Sequence, residues 1–481
     1  MIKQIQIFLL IIFISTGCND WLELKPIDDL VQDEYWQTKE DVEAILMGAY
    51  VKFSSMDANL LMFGELRADM IEPDNPTSSQ RNIMEGNIEP NNSFCRWGDF
   101  YEVINYCNYV LEFSDLVKER DPTFTEFQLE GYKSEALFLR SLSYFYLVRI
   151  FNEVPLVLNS SKTDDQDFFV NKTSDTVILN TIKADLLNAR IYATDNFPSL
   201  NDNWGRATKS AINALLADIS LWQFNYDECL SYCNAIINTQ KYPLVHGSQW
   251  FSIFYPGNSL ETIMEFQFDQ GLGQPNATYD VTYEDNRFRA SIYAQEILGV
   301  GEPMRKNGSY NPTEFNIWKY AGANADGITV RSNSVLRDAN WIVYRMADVL
   351  LMKAEALDQT GFDNEAIDLV NTIRLRAQVP IVTVSSTDNG MEDIIMEERA
   401  REFAFEGKRY FDLVRMGRRN NYQRKSEFIN RIIRNVSPSK RLVLATKLVD
   451  PNGWYLPIHI DELEANINLE QNPYYESLTN Y

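Results

Sequence analysis

Histidine is nearly missing from this chain of 481 residues, which has only His246 and His459. A multi-histidine metal centre is therefore excluded. Cysteine is scarce too, and five residues are too few to staple a chain of this size. Positive charge is in deficit: 44 Lys+Arg against 68 Asp+Glu leave a net charge of −24. That balance opposes general nucleic-acid binding, which needs a net basic footprint. Long apolar runs are absent after the first residues, which excludes a multi-span membrane protein. What the chain does have is core material. It is 45% hydrophobic and 13% aromatic, unlike a disordered chain. A chain this long is able to bury roughly 75% of its unfolded surface.

The one apolar run is Ile7 to Ile14, preceded by Lys3. It is too short to span a bilayer, so residues 1–17 read as a secretory signal peptide. Ser15-Thr16-Gly17 followed by Cys18 resembles a bacterial lipobox. In that reading Cys18 is lipidated, becomes the first mature residue and anchors the chain to membrane lipid. The alternative is ordinary secretion with Cys18 free. Residues 18–37 then form an acidic tether carrying Asp20, Glu23, Asp28, Asp29, Asp33 and Glu34.

Helical periodicity dominates the rest. Thr38-x-x-Asp41 opens a capping-box-like start for a helix over 38–54. Further helices are expected over 97–119, 125–151, 174–195, 206–222, 226–239, 340–359, 362–378 and 390–416. Residues 240–337 are different: Gly, Pro and Asn punctuate them, and Thr262 to Phe268 alternates like a strand. Residues 417–449 are polar and basic with little pattern. Ala214–Ile237 and Leu351–Ile373 each read as helix, aromatic-and-Asp turn, helix, with small residues on the second helix. Both resemble the tetratricopeptide hairpin, in which small side chains let helices approach closely. Cys229 and Cys233 share one helix face as packing residues. A Cys95–Cys107 disulfide is compatible with export but not demanded.

Six anchors carry a family resemblance. They are Trp21 to Pro26 with Tyr35-Trp36, and Glu135 to Arg140 with Val154-Pro155-Leu156. Gly205 to Lys209 and Tyr344 to Leu351 with Ala354-Glu355-Ala356 follow. Glu397 to Arg415 and Leu456-Pro457-Ile458 with Gln471-Asn472-Pro473 complete the set. In this order they resemble the SusD/RagB family of cell-surface nutrient-binding lipoproteins. The resemblance implies a mainly α fold of tetratricopeptide-like helix hairpins, with a loop-rich ligand-side insertion and small β pieces, as one domain over 38–481. It implies an outer-membrane lipoprotein facing the cell exterior over a TonB-dependent transporter of the SusC type. It implies capture of an oligosaccharide or polysaccharide without catalysis or cofactor.

Charge patterning fits a structural role for the last long anchor. In 397–415, Arg399, Arg401, Arg409 and Arg415 interleave with Glu398, Glu402, Glu406 and Asp412, at spacings that bridge along a helix. Neighbouring arginines keep such carboxylates ionised, against the raised pKa a general acid needs. Arg206 and Lys209 lack a preceding glycine-rich loop and suit a helix start better than a phosphate site. Residues 408–447 carry twelve Lys/Arg with only Asp412 and Glu427, a local charge of +10. Pairing with acidic helices or docking to a partner accounts for that block.

A sugar ring offers a C–H face for stacking and hydroxyls for hydrogen bonds. A glycan site therefore combines flat aromatics with short polar side chains in loops. The segments 69–97 and 269–320 have that composition. The candidates are Trp97, Tyr283, Tyr293 and Trp318 for stacking, with Asp74, Asn75 and Arg81 for hydroxyls. Two other functions remain open: a surface-anchored glycoside hydrolase, which needs two carboxylates about 5–10 Å apart, and a tetratricopeptide-type scaffold for a protein or peptide.

Overall fold

A computed structural model of the chain describes residues 35–161, 168–255, 257–299, 301–320, 337–383 and 390–478. The expected signal peptide, Cys18 and the acidic stretch to Glu34 lie outside the described residues.

Helices α1 (Lys39–Ser54) and α2 (Asp57–Glu65) come first, then strand β1 (Ile71–Pro73) and helix α3 (Ser78–Met84). Next are α4 (Gly98–Arg120), α5 (Glu126–Phe151), α6 (Asp175–Tyr192), α7 (Lys209–Trp222) and α8 (Tyr226–Ile237). The middle holds strands β2 (Thr262–Phe266), β3 (Phe288–Ala290) and β4 (Trp341–Arg345) among short turns. Helices return as α9 (Met346–Gln359), α10 (Asp363–Arg376), α11 (Gly390–Glu402), α12 (Arg409–Tyr422), α13 (Lys425–Ile432) and α14 (Pro438–Lys447). Side-chain caps set several starts. The Asp41 carboxylate accepts from the Thr38 N–H at 2.7 Å, and Thr125 and Gln128 form a reciprocal box at α5.

α5 is the axis of the helical stack, and every residue from Ser134 to Phe151 is buried. α4 packs along one side of it and α6 along the other. Small side chains set the second approach: Ser134 Oγ donates to the Ala189 carbonyl at 2.9 Å. The hairpins α7–α8 and α9–α10 lie side by side, with α8 against α9. Cys229 and Cys233 face that contact 4.0 Å apart, and the Cys229 thiol lies 3.9 Å from the Met352 carbonyl oxygen. The two repeat-like stretches are thus neighbours in space, although more than a hundred residues separate them in sequence. Cys95 and Cys107 are free buried thiols, so the optional disulfide is not made. Burial pushes both up to about 12.

Three expectations are corrected. Residues 341–345 are a strand, not the start of a helix. The run Trp-Ile-Val-Tyr-Arg suits a pleated, fully buried position and pairs antiparallel with β2. The helix expected over 390–416 is two helices. The chain turns between them with positive φ at Phe405 and Gly407. A Cβ on Gly64 would sit 1.8 Å from the Gly407 carbonyl oxygen, so α2 meets this turn backbone to backbone. The segment 417–449 is not patternless, because it carries α13 and α14. Their apolar stripes are only Phe428 with Ile432 and Leu444 with Leu448, too narrow to stand out among the cations.

The middle segment is tied at its neck by Glu265 on β2. Its carboxylate accepts from the Asn258 N–H at 2.7 Å and from Asn340 Nδ2 at 2.6 Å. Burial pushes this carboxyl up to about 7, although those donors and Thr262 oppose the shift.

Candidate ligand-binding site

The β1–β3 ribbon builds a ledge at one end of the middle segment. β1 pairs antiparallel with β3, with Glu72 opposite Arg289 and Pro73 opposite Phe288. Just past the pairing, the Asp74 and Asn75 N–H groups donate to the Arg287 carbonyl at 3.0 and 3.2 Å. That turn follows a single π-helical turn, Asp280–Glu284, which holds Tyr283. Asp57 fixes its base, accepting from both the backbone N–H and the hydroxyl of Thr278 at 2.7 Å. Asn276 ties the same base to the segment leading into β4, donating to the Ala339 carbonyl at 2.8 Å. The Tyr279 and Tyr283 rings lie with centroids 5.5 Å apart, tilted 54° to each other, and Trp318 packs with them. Arg337 lies 5.7 Å from the Tyr279 ring centroid and pairs with Asp280 at 2.7 Å. Tyr283 is half-buried; burial, then Glu314 and Glu284, raises its hydroxyl above the usual range.

The structure therefore brings Asp74, Asn75 and Tyr283 to one ledge. Arg81 is exposed on the nearby α3. The other three aromatic candidates are placed otherwise. Trp97 is 3% exposed and packs edge-on against Tyr101 and Phe151, at 5.8 and 5.4 Å. Trp318 is 1% exposed, with its indole N–H donated to the Asn307 carbonyl at 2.8 Å. Tyr293 is 9% exposed and carries the Arg434 guanidinium 3.9 Å from its centroid. In this conformation none of the three offers a ring face for stacking; each packs in the protein interior instead. Tyr279 supports the ledge from beneath.

The carboxylates of the 397–415 anchor are sealed by arginines. Arg345 reaches Glu261, Glu402 and Glu406 at 2.8, 2.6 and 2.8 Å. Arg305 reaches Glu302, Glu398 and Glu402, and Arg399 joins Asp348 to Asp412. The partners lie mainly on different elements rather than along one helix, as the spacing had suggested. Burial opposes ionisation here, but the cations outweigh it. Lys408 and Arg399 hold Asp348 at about 2, and Arg415 and Arg419 hold Glu355 at about 2. Arg376, Arg345 and Arg305 hold Glu402 well below the carboxylate range. Arg206 grips Glu135 through two hydrogen bonds of 2.9 and 2.6 Å just before α7. Thr208 then caps that helix, accepting from the Ala211 N–H at 3.3 Å.

Residues 20–221 match a family model described as starch-binding associating with outer membrane, and residues 250–475 match the SusD family model. The chain belongs to the SusD/RagB-like family. Among curated relatives of this family, SusD-like protein P38 of Formosa agariphila is 24% identical, over 86% of this chain and 91% of its own length. A SusD superfamily structure from Bacteroides vulgatus superposes with a TM-score of 0.76 at 21% identity, covering 92% of this chain and 100% of that one. A laminarin-binding SusD-like protein gives 0.71 at 20% identity, over 91% and 99% of the two chains. These superpositions carry the SusD-like fold. Among the described residues no helix is long and apolar enough to cross a membrane, and no cluster of His, Cys, Asp and Glu suits a metal ion.

Arg67, Arg289 and Lys440 lie far apart in the sequence but close in the fold. They line a cavity of about 340 Å³ beside the β1–β3 ribbon. The +10 charge of 408–447 hinted at Lys440. Nothing in the local sequence singles out Arg67 or Arg289.

Proposed function

We propose that this chain captures oligosaccharide or polysaccharide at the cell surface, without catalysis, and passes it to a SusC-like TonB-dependent transporter. In this reading Cys18 carries the lipid that holds it on the outer membrane. Membership of a family described as starch-binding and outer-membrane-associated supports the reading. The observation that carries it to particular residues is the ledge, where half-buried Tyr283 lies on the π-helical turn leading into Arg287, whose carbonyl holds the backbone of exposed Asp74 and Asn75. An aromatic body next to short polar side chains suits a sugar's C–H face and its hydroxyls.

The glycoside-hydrolase alternative has weaker support. A hydrolase sets two carboxyl groups across a cleft and raises the pKa of one. Here the clustered carboxylates Asp348, Glu355, Glu402 and Glu406 are buried and held low by cations. Burial raises Glu265 to about 7 and Asp358 to about 6, on different elements. It also raises Glu65, Asp57, Glu135, Asp185 and Asp280, of which the last four are engaged by Thr278, Arg206, Arg140 and Arg337. A scaffold for peptides would use the helix hairpins and leave the ledge idle. Affinity electrophoresis of the full chain across a polysaccharide panel, followed by product analysis, separates the three. Retardation by a glycan that is recovered intact is expected. Sustained turnover would favour the hydrolase, and indifference to every glycan would favour the scaffold.

A further inference from the structure

No aromatic side chain among the described residues is more exposed than Phe127, at 73%. It stands in the first turn of α5, beside Gln128 of the capping box. Tyr192, the last residue of α6, is 46% exposed. Both line one cavity of about 460 Å³, built by the start of α5, the segment that leaves α6 and the residues just before α7. That volume is in the range of small-ligand sites. Phe197 and Tyr132 add two more rings to the lining. The Arg206 guanidinium packs against them, 4.7 Å from the Phe197 centroid and 6.0 Å from that of Tyr132. Exposed rings gathered around a hollow mark a surface that a ligand or partner covers.

The rest of the lining decides what kind of molecule fits. Its only charged residues are Glu135 and Arg206, already joined by hydrogen bonds of 2.9 and 2.6 Å. A charged ligand therefore finds no unanswered charge there. Gln128, Thr194 and Asn196 supply uncharged polar groups beside the rings. Gln128 turns its Oε1 to the N–H and hydroxyl of Thr125 at 3.1 and 2.9 Å, and its Nε2 has no protein partner among the described residues. Rings suit the C–H face of a sugar, and amides suit its hydroxyls. We propose that this cavity is a second glycan site, separate from the ledge, which takes a neutral stretch of the same polysaccharide. It shares no lining residue with the ledge, whose Asp74, Asn75 and Tyr283 belong to the β1–β3 ribbon and the π-helical turn before it. The net charge of −24 repels polyanions and leaves neutral polymers free to approach. Two sites on one chain favour a polymer over a short fragment, because the second contact forms at the high local concentration that the first creates.

This inference rests on the glycan-binding reading, and its test separates the two. Affinity electrophoresis of the full chain uses amylose, laminarin, xylan and mannan. Calorimetry then uses the hexasaccharide of each polymer that retards the chain. Wild type is expected to bind two hexasaccharides per chain. Phe127→Ala combined with Tyr192→Ala should leave one, and should weaken retention by the polymer ten-fold or more. Both side chains are exposed, so the thermal midpoint should stay that of wild type. Where the double variant is not folded, Phe127→Ala alone decides, and should weaken retention at least three-fold. One hexasaccharide per chain in wild type, or retention unchanged in the variants, overturns the second site and leaves glycan capture standing. The exposed rings would then belong to a protein contact. Failure of every polymer with wild type overturns the glycan reading itself, and the second site with it.

Discussion

Two charged regions of this molecule use the same residue types for opposite ends. Around Arg345 and Glu402, cations and carboxylates are buried together and paired across several elements. Around Arg67 the count does not close: the guanidinium lies over the Tyr410 ring and donates to the Trp454 carbonyl, with no carboxylate among the described residues paired to it. A closed network fixes elements in place. An open one leaves a buried charge answered only by a carbonyl and a ring face. Cost distinguishes the two, since removing one member of a closed set strands buried charged partners, whereas removing Arg67 loses a carbonyl hydrogen bond and a ring contact but strands no carboxylate.

The largest expected effect comes from breaking the closed set. Arg345→Met leaves Glu261, Glu402 and Glu406 short of their shared cation and should cost about 3–5 kcal/mol in urea unfolding. Arg67→Gln should cost far less, or even stabilise the free chain. Equal losses for the two variants would erase the distinction.

A second prediction sets packing against binding among the aromatics. Trp97→Ala should destabilise by about 3–5 kcal/mol, the usual result of emptying a core site. Tyr283→Ala on the ledge should cost about 1 kcal/mol or less of stability. It should weaken glycan affinity about ten-fold, a difference of about 1.4 kcal/mol. Thermal unfolding and calorimetry on the same samples check both halves.

A third prediction concerns Glu265 at the neck of the middle segment. Its folded-state pKa is raised from 4.5 to about 7, so the folded protein holds this proton more tightly than the unfolded chain. The stability it contributes is fully present below pH 4.5 and is lost as pH rises through about 7. Across that window wild type should fall relative to Glu265→Gln by about 3 kcal/mol. Denaturation at pH 4.5 and pH 8 measures it, and a pH-independent difference would contradict the assignment.

The smallest effect separates the closed pairs from the exposed ones. Lys52→Ala removes pairs to Asp99 and Glu102, whose side chains are half exposed. It should change stability by less than about 1 kcal/mol, and less again at high salt.

Much of the scaffold was legible in the sequence, because local physics specifies it. Thr38–Asp41, the apolar period of α5 and the small residues on α8 act over a few residues, and each gives a readable signal. The strand Trp341–Arg345 and the turn at Gly407 were not legible. One depends on a partner eighty residues upstream, and the other on the backbone of α2. In the site, Asp74, Asn75 and Tyr283 stood out as polar and aromatic residues in a turn-rich context, and the fold links their two segments through the Arg287 backbone. Trp97, Tyr293 and Trp318 looked the same on paper, since an aromatic ring carries no local mark of whether its face is covered. Arg67 was invisible for the same reason in reverse. Its significance lies in a carboxylate that is not beside it.

The most direct measurement pairs affinity with the fate of the ligand. Wild type and Tyr283→Ala would be titrated with a bound oligosaccharide, and the sugar recovered afterwards would be sized by chromatography. Non-catalytic capture at the ledge predicts intact sugar from both and about ten-fold weaker binding in the variant. Shortened sugar, or unchanged affinity in Tyr283→Ala, would contradict it.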